Sequence, residues 1–489
     1  MQQDARPKGL RVVVIGAGMS GILCGIRLQQ EGIEDFTIHE KAGSLGGTWR
    51  DNRYPGLTCD VPSHVYSYSF EPNPDWSRKY SAGSEIRDYL ERVARKYRVM
   101  PFIRFGSEIT ACDYEDGRWR LTTADGHHDS ADVVIAATGI LHHPRLPDIP
   151  GRDSFAGADF HSARWPDGLS LAGKRVGVIG TGSTAIQIVG AIVDEVAALS
   201  LFQRTPQWIY PEPNRSYDEH ERDRFRAEPD VLAGIRARMQ RNLEERFSNA
   251  LIDADSVGMR AIADMCWQHL ENGVADPDLR ARLTPDYQAG CKRLIVADGF
   301  YDAIQRHNAR LVDRPIEAIT PAGPRTADGE QHELDVLVYA TGFDAHRFVR
   351  PINLTGRNGR TLDEAWARSV RAYRSTALPD FPNFFMIMGP QSPVGNFSLI
   401  DVAETQVEYI LRLIAPLRRG EAAALAPRPE AMQRFNERAV AAMDGTIWVT
   451  GCGSWYLDED GVPVTWPWTL ETFRREMREP DFADYELAG

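Results

Sequence analysis

The feature that most restricts the fold of this 489-residue chain is a unit that occurs twice: an apolar strand, a glycine-rich turn, a helix and a second strand. Leu10 to Ile15 is a β-branched apolar run that enters Gly16-Ala17-Gly18-Met19-Ser20-Gly21. The following ILCGIRLQQEG has helical spacing, and FTIHE reads as the next strand. The same grammar returns from Lys174 in KRVGVIGTGSTAIQIVGAIV, followed by LSLFQRT. Such a turn aims free backbone N–H groups and the positive end of a helix dipole at an anion, which suits a dinucleotide pyrophosphate. Two copies predict an α/β fold with two Rossmann-like dinucleotide-binding domains. DVVIAATG (Asp132 to Gly139) and DVLVYATG (Asp335 to Gly342), apolar strands ending in tight turns, are expected to close one domain each.

The residue that follows each turn at a fixed distance selects the nucleotide. Glu40 stands 19 residues beyond Gly21, placed to accept hydrogen bonds from ribose hydroxyls. The second signature is Gly180-Thr181-Gly182-Ser183-Thr184-Ala185, with Gln187 just beyond it, and 19 residues after Ala185 stands Arg204. A carboxylate there would repel a ribose 2′-phosphate, whereas a guanidinium binds it through paired, charge-assisted hydrogen bonds. FAD in the first site and NADPH in the second is the assignment this spacing supports.

Charge and cysteines narrow the class. A formal net charge of -13 disfavours a nucleic-acid or anionic-membrane surface, so neither partner is expected, and no obligate protein partner is evident. The N-terminal MQQDARPKGL lacks the apolar core of a signal peptide, and no apolar run reaches the ~18 residues of a membrane span. Cys24, Cys59, Cys112, Cys266, Cys291 and Cys452 are scattered without a CxxC pair, which fits reduced thiols in a cytoplasmic protein and disfavours a disulfide reductase. The pattern divides the chain into a discontinuous FAD-binding domain (1–145 and 377–489), an NADPH-binding domain (146–215 and 290–376) and a helical insertion (216–289). In the insertion Leu232, Ile235, Met239, Leu243 and Phe247 recur at helical steps, a face expected to pack on the second nucleotide domain. Pro379, Pro382 and Pro390 punctuate the crossing back into the first domain.

Between the two signatures lies FAGADFHSARWPD, with no glycine loop, metal spacing or nucleophile motif of its own. Phe155, Gly157, His161, Trp165 and Pro166 match a long fingerprint, FxGxxxHxxxWP, and Gly47, Trp49, Tyr54, Pro55, Gly56 and Asp60 match a second, GxWxxxxYPGxxxD. On these residues the chain resembles, over nearly its whole length, the type I Baeyer-Villiger monooxygenases among the flavoprotein monooxygenases. Trp165 separates it from the related heteroatom-oxidising enzymes.

The resemblance implies that NADPH reduces FAD, that oxygen adds at the flavin C4a as a peroxide, and that one oxygen atom enters a ketone to give an ester or lactone, with sulfide oxidation as a side activity. It also implies roles. Arg293, in GCKRLIVADGFYD, lies near the reacting oxygen, where a permanently charged guanidinium stabilises an anion without titrating. Asp60 pairs with Arg293 and belongs to the flavin site, with Thr48, Trp49 and Tyr66. Lys292 joins Arg204 and Thr205 at the 2′-phosphate. His161 is grouped with the catalytic residues as a linker residue that couples domain position to the nicotinamide, an anchoring role remaining open. Trp455, in GSWYLD, resembles an aromatic at the substrate end, and GCGSWYLDEDGVPVTWPW departs from the cyclic-ketone enzymes towards those of aryl or larger ketones. Cys59 has no base or second thiol to give it chemistry. Two other functions stand beside this one: an N- or S-oxygenating flavin-containing monooxygenase, and a cofactor-binding regulator without turnover.

Overall fold

Every residue of Val12–Ile15, Val133–Ala136 and Phe384–Met386 is buried, so these strands read as continuous apolar runs, as strands covered on both faces do. In this computed structural model, which describes residues 9–395, 397–458, 460–462 and 464–488, they lie in one five-stranded sheet. Its order is Phe384–Met386, Val133–Ala136, Val12–Ile15, Phe36–His39, Ile103–Arg104, parallel throughout. A second parallel sheet repeats the plan with Ala309–Val312, Ala198–Phe202, Arg175–Ile179, Val336–Tyr339 and Ala158–His161. The strands of DVVIAATG and DVLVYATG each lie beside the signature strand of their own sheet, with Val133 opposite Val12 and Val336 opposite Val176.

Helix Met19–Gln30 begins directly on the first turn. A Cβ on Gly21 would lie 1.8 Å from the Gly16 carbonyl oxygen, so the helix can seat on the turn only without a side chain there.

Three expectations are corrected. The apolar stripe of the insertion does form a helix, Pro229–Leu243, but Leu232 belongs to the core of the first sheet, and Ile235, Met239 and Leu243 pack against that core. Arg236 fixes this docking by donating to the carbonyls of His64 and Ser67, at 2.8 Å each. Two later helices of the insertion reach the second nucleotide core, Val257–Gly273 through Leu270 and Pro277–Leu283 through Leu283. Asn353–Thr355, placed in the second domain by the sequence, pairs instead with Ile109–Glu115 beside the first sheet. Leu354, Leu362 and Trp366 are buried in that same first core, which draws the chain back well before residue 377. Finally, Cys291 and Cys452 form a disulfide across 161 positions of sequence, with Cα atoms 6.1 Å apart. Their pairing depends on tertiary approach, which spacing rules for neighbouring cysteines do not detect; Cys24, Cys59, Cys112 and Cys266 are free and buried. Among the described residues no helix is long and apolar enough to cross a membrane.

Candidate active site

Arg293 lies just before strand Ile295–Ala297, and Asp60 lies in the loop after Tyr54-Pro55-Gly56. The fold joins them across 233 residues: Arg293 Nε and Nη2 donate to the same Asp60 Oδ2 at 3.1 and 2.6 Å. Nη1 donates to the Gly395 carbonyl at 3.1 Å. The side chains are 32% and 21% exposed, so the pair is partly desolvated but reachable. Burial presses the Arg293 guanidinium down, but Asp60 and then Tyr456 outweigh it and hold the group above its ordinary value, a permanent cation.

The predicted flavin contacts flank this pair. Helix Thr48–Asp51 presents Trp49, whose Nε1 donates to the Tyr66 hydroxyl at 3.2 Å, ring edge to ring face. Burial pushes the Tyr66 phenol up, and the charges of Asp60 and Arg293 both reach it. The Cys59 thiol is pushed up by burial too, which keeps it protonated and inert.

Both glycine signatures end in a helix start that no side chain caps: Gly18 and Gly182 are N-caps without a side-chain hydrogen bond. The leading N–H groups of Met19–Gln30 and Ser183–Ile192 are therefore left for an anion, and Ser20, Ser183 and Thr184 stand in those first turns. Glu40 is 4% exposed and accepts from Ala17 N at 2.8 Å, Ala42 N at 2.9 Å and Arg50 Nη1 at 2.9 Å. A carboxylate has about four acceptor positions, so room for a ribose hydroxyl remains. At the second site the Thr181 hydroxyl donates to the Thr205 carbonyl at 2.7 Å, fixing the segment that carries Arg204. Lys292 Nζ sits 4.7 Å from the Tyr287 ring centroid. Burial first, and then the nearby Arg204 charge, push its ammonium below the ordinary value, while Asp286 acts the other way. Two cations thus converge where a phosphate is expected. The uncapped helix starts and this cation pair fit FAD and NADPH.

Other predicted residues are engaged differently. Gln187 Oε1 accepts from Tyr54 Oη at 3.0 Å, while its Nε2 donates to the Thr58 carbonyl and hydroxyl at 3.1 and 3.2 Å. Thr184 donates to Tyr54 Oη at 3.4 Å. These contacts lock the YPG loop onto the helix of the second signature. His161, placed with the catalytic residues, is 4% exposed and occupied on both nitrogens by backbone. Ala163 N donates to its Nδ1 at 3.1 Å, so Nε2 carries the proton and donates to the Gly342 carbonyl at 2.9 Å. Burial holds its pKa below the ordinary value, and both nitrogens are engaged by backbone, the geometry of an anchor for the linker. Trp165 packs edge-on against Phe160 at 5.0 Å.

Gly395 and Tyr456, both against Arg293, carried no sequence signal. Tyr456 directly follows Trp455, but nothing in that irregular stretch points it at a residue 163 positions earlier.

A family model described as pyridine nucleotide-disulphide oxidoreductase matches residues 13–228. An uncharacterized monooxygenase of Mycobacterium bovis is 45% identical over 476 residues, 97% of this chain and 96% of the relative. A Baeyer-Villiger monooxygenase of Streptomyces coelicolor is 42% identical over 490 residues, covering 98% of this chain and 92% of its own length. Among solved structures, OTEMO in complex with FAD and NADP superposes with a TM-score of 0.89 at 29% identity, covering 99% of this chain and 100% of the other.

Proposed function

The chain belongs to the Baeyer-Villiger monooxygenases, and we propose that its reacting centre is built on the Arg293–Asp60 pair. The protein is an FAD- and NADPH-dependent flavoprotein that inserts one oxygen atom of O2 into a ketone to give an ester or lactone. Bound FAD, reduced by NADPH, supplies the activated oxygen. The chain supplies position and charge.

Arg293 faces the negative charge that develops on the substrate's carbonyl oxygen. Its guanidinium stays charged at every working pH, and fixed donors of this kind are worth ~3 to 4 kcal/mol in the transition state. Asp60 orients that guanidinium and offsets the cost of its partial burial. Gly16, Gly18, Ser20 and Gly21 receive the FAD pyrophosphate, and Glu40 the ribose. Trp49, Tyr66 and Thr48 wall the flavin. The Gly180–Thr184 turn receives NADPH, whose 2′-phosphate falls to Arg204 and Lys292, with Thr205 held between turn and phosphate. His161 anchors the linker to the Gly342 turn rather than moving a proton. The enzyme works on a small-molecule ketone in the cytoplasm, where NADPH is regenerated, without nucleic acid, membrane or an obligate protein partner.

The observation that carries this reading is the convergence of Arg293 Nε and Nη2 on Asp60 beside Tyr66 and Trp49. Arg293→Ala tests it: the purified protein should keep its FAD and still bind NADPH while ester formation, followed by chromatography, falls by two to three decades. Ester made at near wild-type rate would remove Arg293 from the reaction. Screening linear, cyclic, aryl and steroid ketones with product identification would fix the substrate class.

A further inference from the structure

Asp60 alone does not immobilise Arg293. Both of its hydrogen bonds from the guanidinium converge on the single oxygen Oδ2, a pivot, whereas a fork over two carboxylate oxygens would also fix the plane of the group. A guanidinium carries five N–H donors. Asp60 takes the one on Nε and one on Nη2, and Gly395 takes one on Nη1. Two remain, one on each terminal nitrogen, and an unguided pivot would present either to the substrate.

The missing constraint comes from the C-terminal segment. Tyr456 is 2% exposed, and its phenol lies within electrostatic reach of Arg293. The phenol oxygen lies against Gly395, where an added Cβ would meet it at 2.1 Å. Gly395 has φ +96°, so a side chain there is excluded both by conformation and by the phenol. The phenol itself is held: its ring packs at 4.2 Å from Trp455 and 5.8 Å from Trp448, and its carbonyl accepts from Val464 N at 2.7 Å. Cys452, four residues earlier, is bonded to Cys291, two residues before Arg293.

We propose that Tyr456 is a positioning residue for Arg293: its hydroxyl, wedged against Gly395, holds in place the carbonyl that accepts from Arg293 Nη1 and so fixes the plane of the guanidinium. The inference rests on the reading of Arg293 as the centre of the reaction. Tyr456→Phe keeps the ring and removes the hydroxyl. In the FAD-loaded variant, ester turnover should fall about tenfold, as for a weakened hydrogen bond from the charged Arg293 to the Gly395 carbonyl, with KM for NADPH unchanged and more hydrogen peroxide released per NADPH. Independently of turnover, phenylglyoxal should modify Arg293 severalfold faster, read by peptide mass spectrometry, at unchanged melting temperature. Gly395→Ala approaches the same contact from the other side: its methyl displaces the phenol, so it should reproduce the defect alone and add little in the Tyr456→Phe background. Unchanged ester yield per NADPH and an unchanged modification rate in Tyr456→Phe would overturn the proposal, as would fully additive losses in the double variant. If instead Arg293→Ala itself keeps making ester, the underlying reading of Arg293 fails, whatever Tyr456→Phe does.

Discussion

Arg204 and Lys292 bring like charges to one place, an arrangement that costs free energy until an anion arrives. The 2′-phosphate of NADPH is such an anion, and NADH lacks it. Arg204→Ala should therefore weaken NADPH by ~1.5 to 3 kcal/mol, tenfold to more than a hundredfold, and leave NADH nearly untouched. Flavin reduction rates against both nucleotides measure this, and equal losses with the two would show that Arg204 does not read the phosphate. Asp60→Ala should slow ester formation less than Arg293→Ala does, because the Gly395 carbonyl still holds the guanidinium. At this scale legibility follows distance from the turn. The positions of Glu40 and Arg204 were legible in the sequence because a strand-turn-helix-strand unit fixes where its second strand ends. Gln187 stood equally close to a signature, yet its amide serves Tyr54 and Thr58, since hydrogen-bonding capacity does not name its partner.

Strand Ala158–His161 is the edge of the second sheet, and His161 bonds it to the Gly342 turn at the end of the neighbouring strand. His161→Ala should keep the flavin, whose proposed site is on the other sheet, and slow its reduction by NADPH; loss of all folded holoprotein would mean that the anchor serves folding alone. The disulfide is the other long-range tie. Closing a loop of 161 positions removes about 5 kcal/mol of chain entropy from the unfolded state in the loop-closure account. Cys452→Ser should accordingly lower the melting temperature and loosen the segment that carries Tyr456. Mass spectrometry of the protein digested without reductant checks the bond directly. Elements built from neighbours in sequence were legible, among them both nucleotide units and the helix Pro229–Leu243. What those elements rest on was not. The 3.6-residue period of Leu232, Ile235 and Met239 says that one face is buried, but the choice of the first core over the second was made by Arg236 and the carbonyls of His64 and Ser67.

At the scale of the whole molecule, the contact where that insertion meets the first sheet carries an acid-sensitive group. His64 is 2% exposed, and among the described residues neither ring nitrogen has a hydrogen-bond partner. Its ring faces Tyr217 and Phe225 of the insertion, each 5.2 Å away between centroids. Burial, and then the Arg236 charge, push its pKa down to about 4. The unfolded chain takes up this proton below about 6.5, whereas the folded chain refuses it until about 4. Folding therefore binds fewer protons across that window, and the sign follows: stability is full above about pH 6.5 and falls as the pH drops towards 4. The drop in His64 alone is worth about 3 kcal/mol. His142, also pushed down to about 4, by burial and then by His143, adds in the same direction. Asp401 and Glu404 act oppositely, since burial raises their pKa values and their protonation at the acid end favours the folded state. Melting temperatures between pH 8 and pH 4.5 should then fall steeply in the wild type and less steeply in His64→Phe, which fills the same aromatic site without a proton to bind. Because His64 sits under the docked insertion, limited proteolysis near pH 5 should cut first within 219–243, and His64→Phe should protect those bonds; equal slopes and equal cleavage in the two proteins would place the acid lability elsewhere.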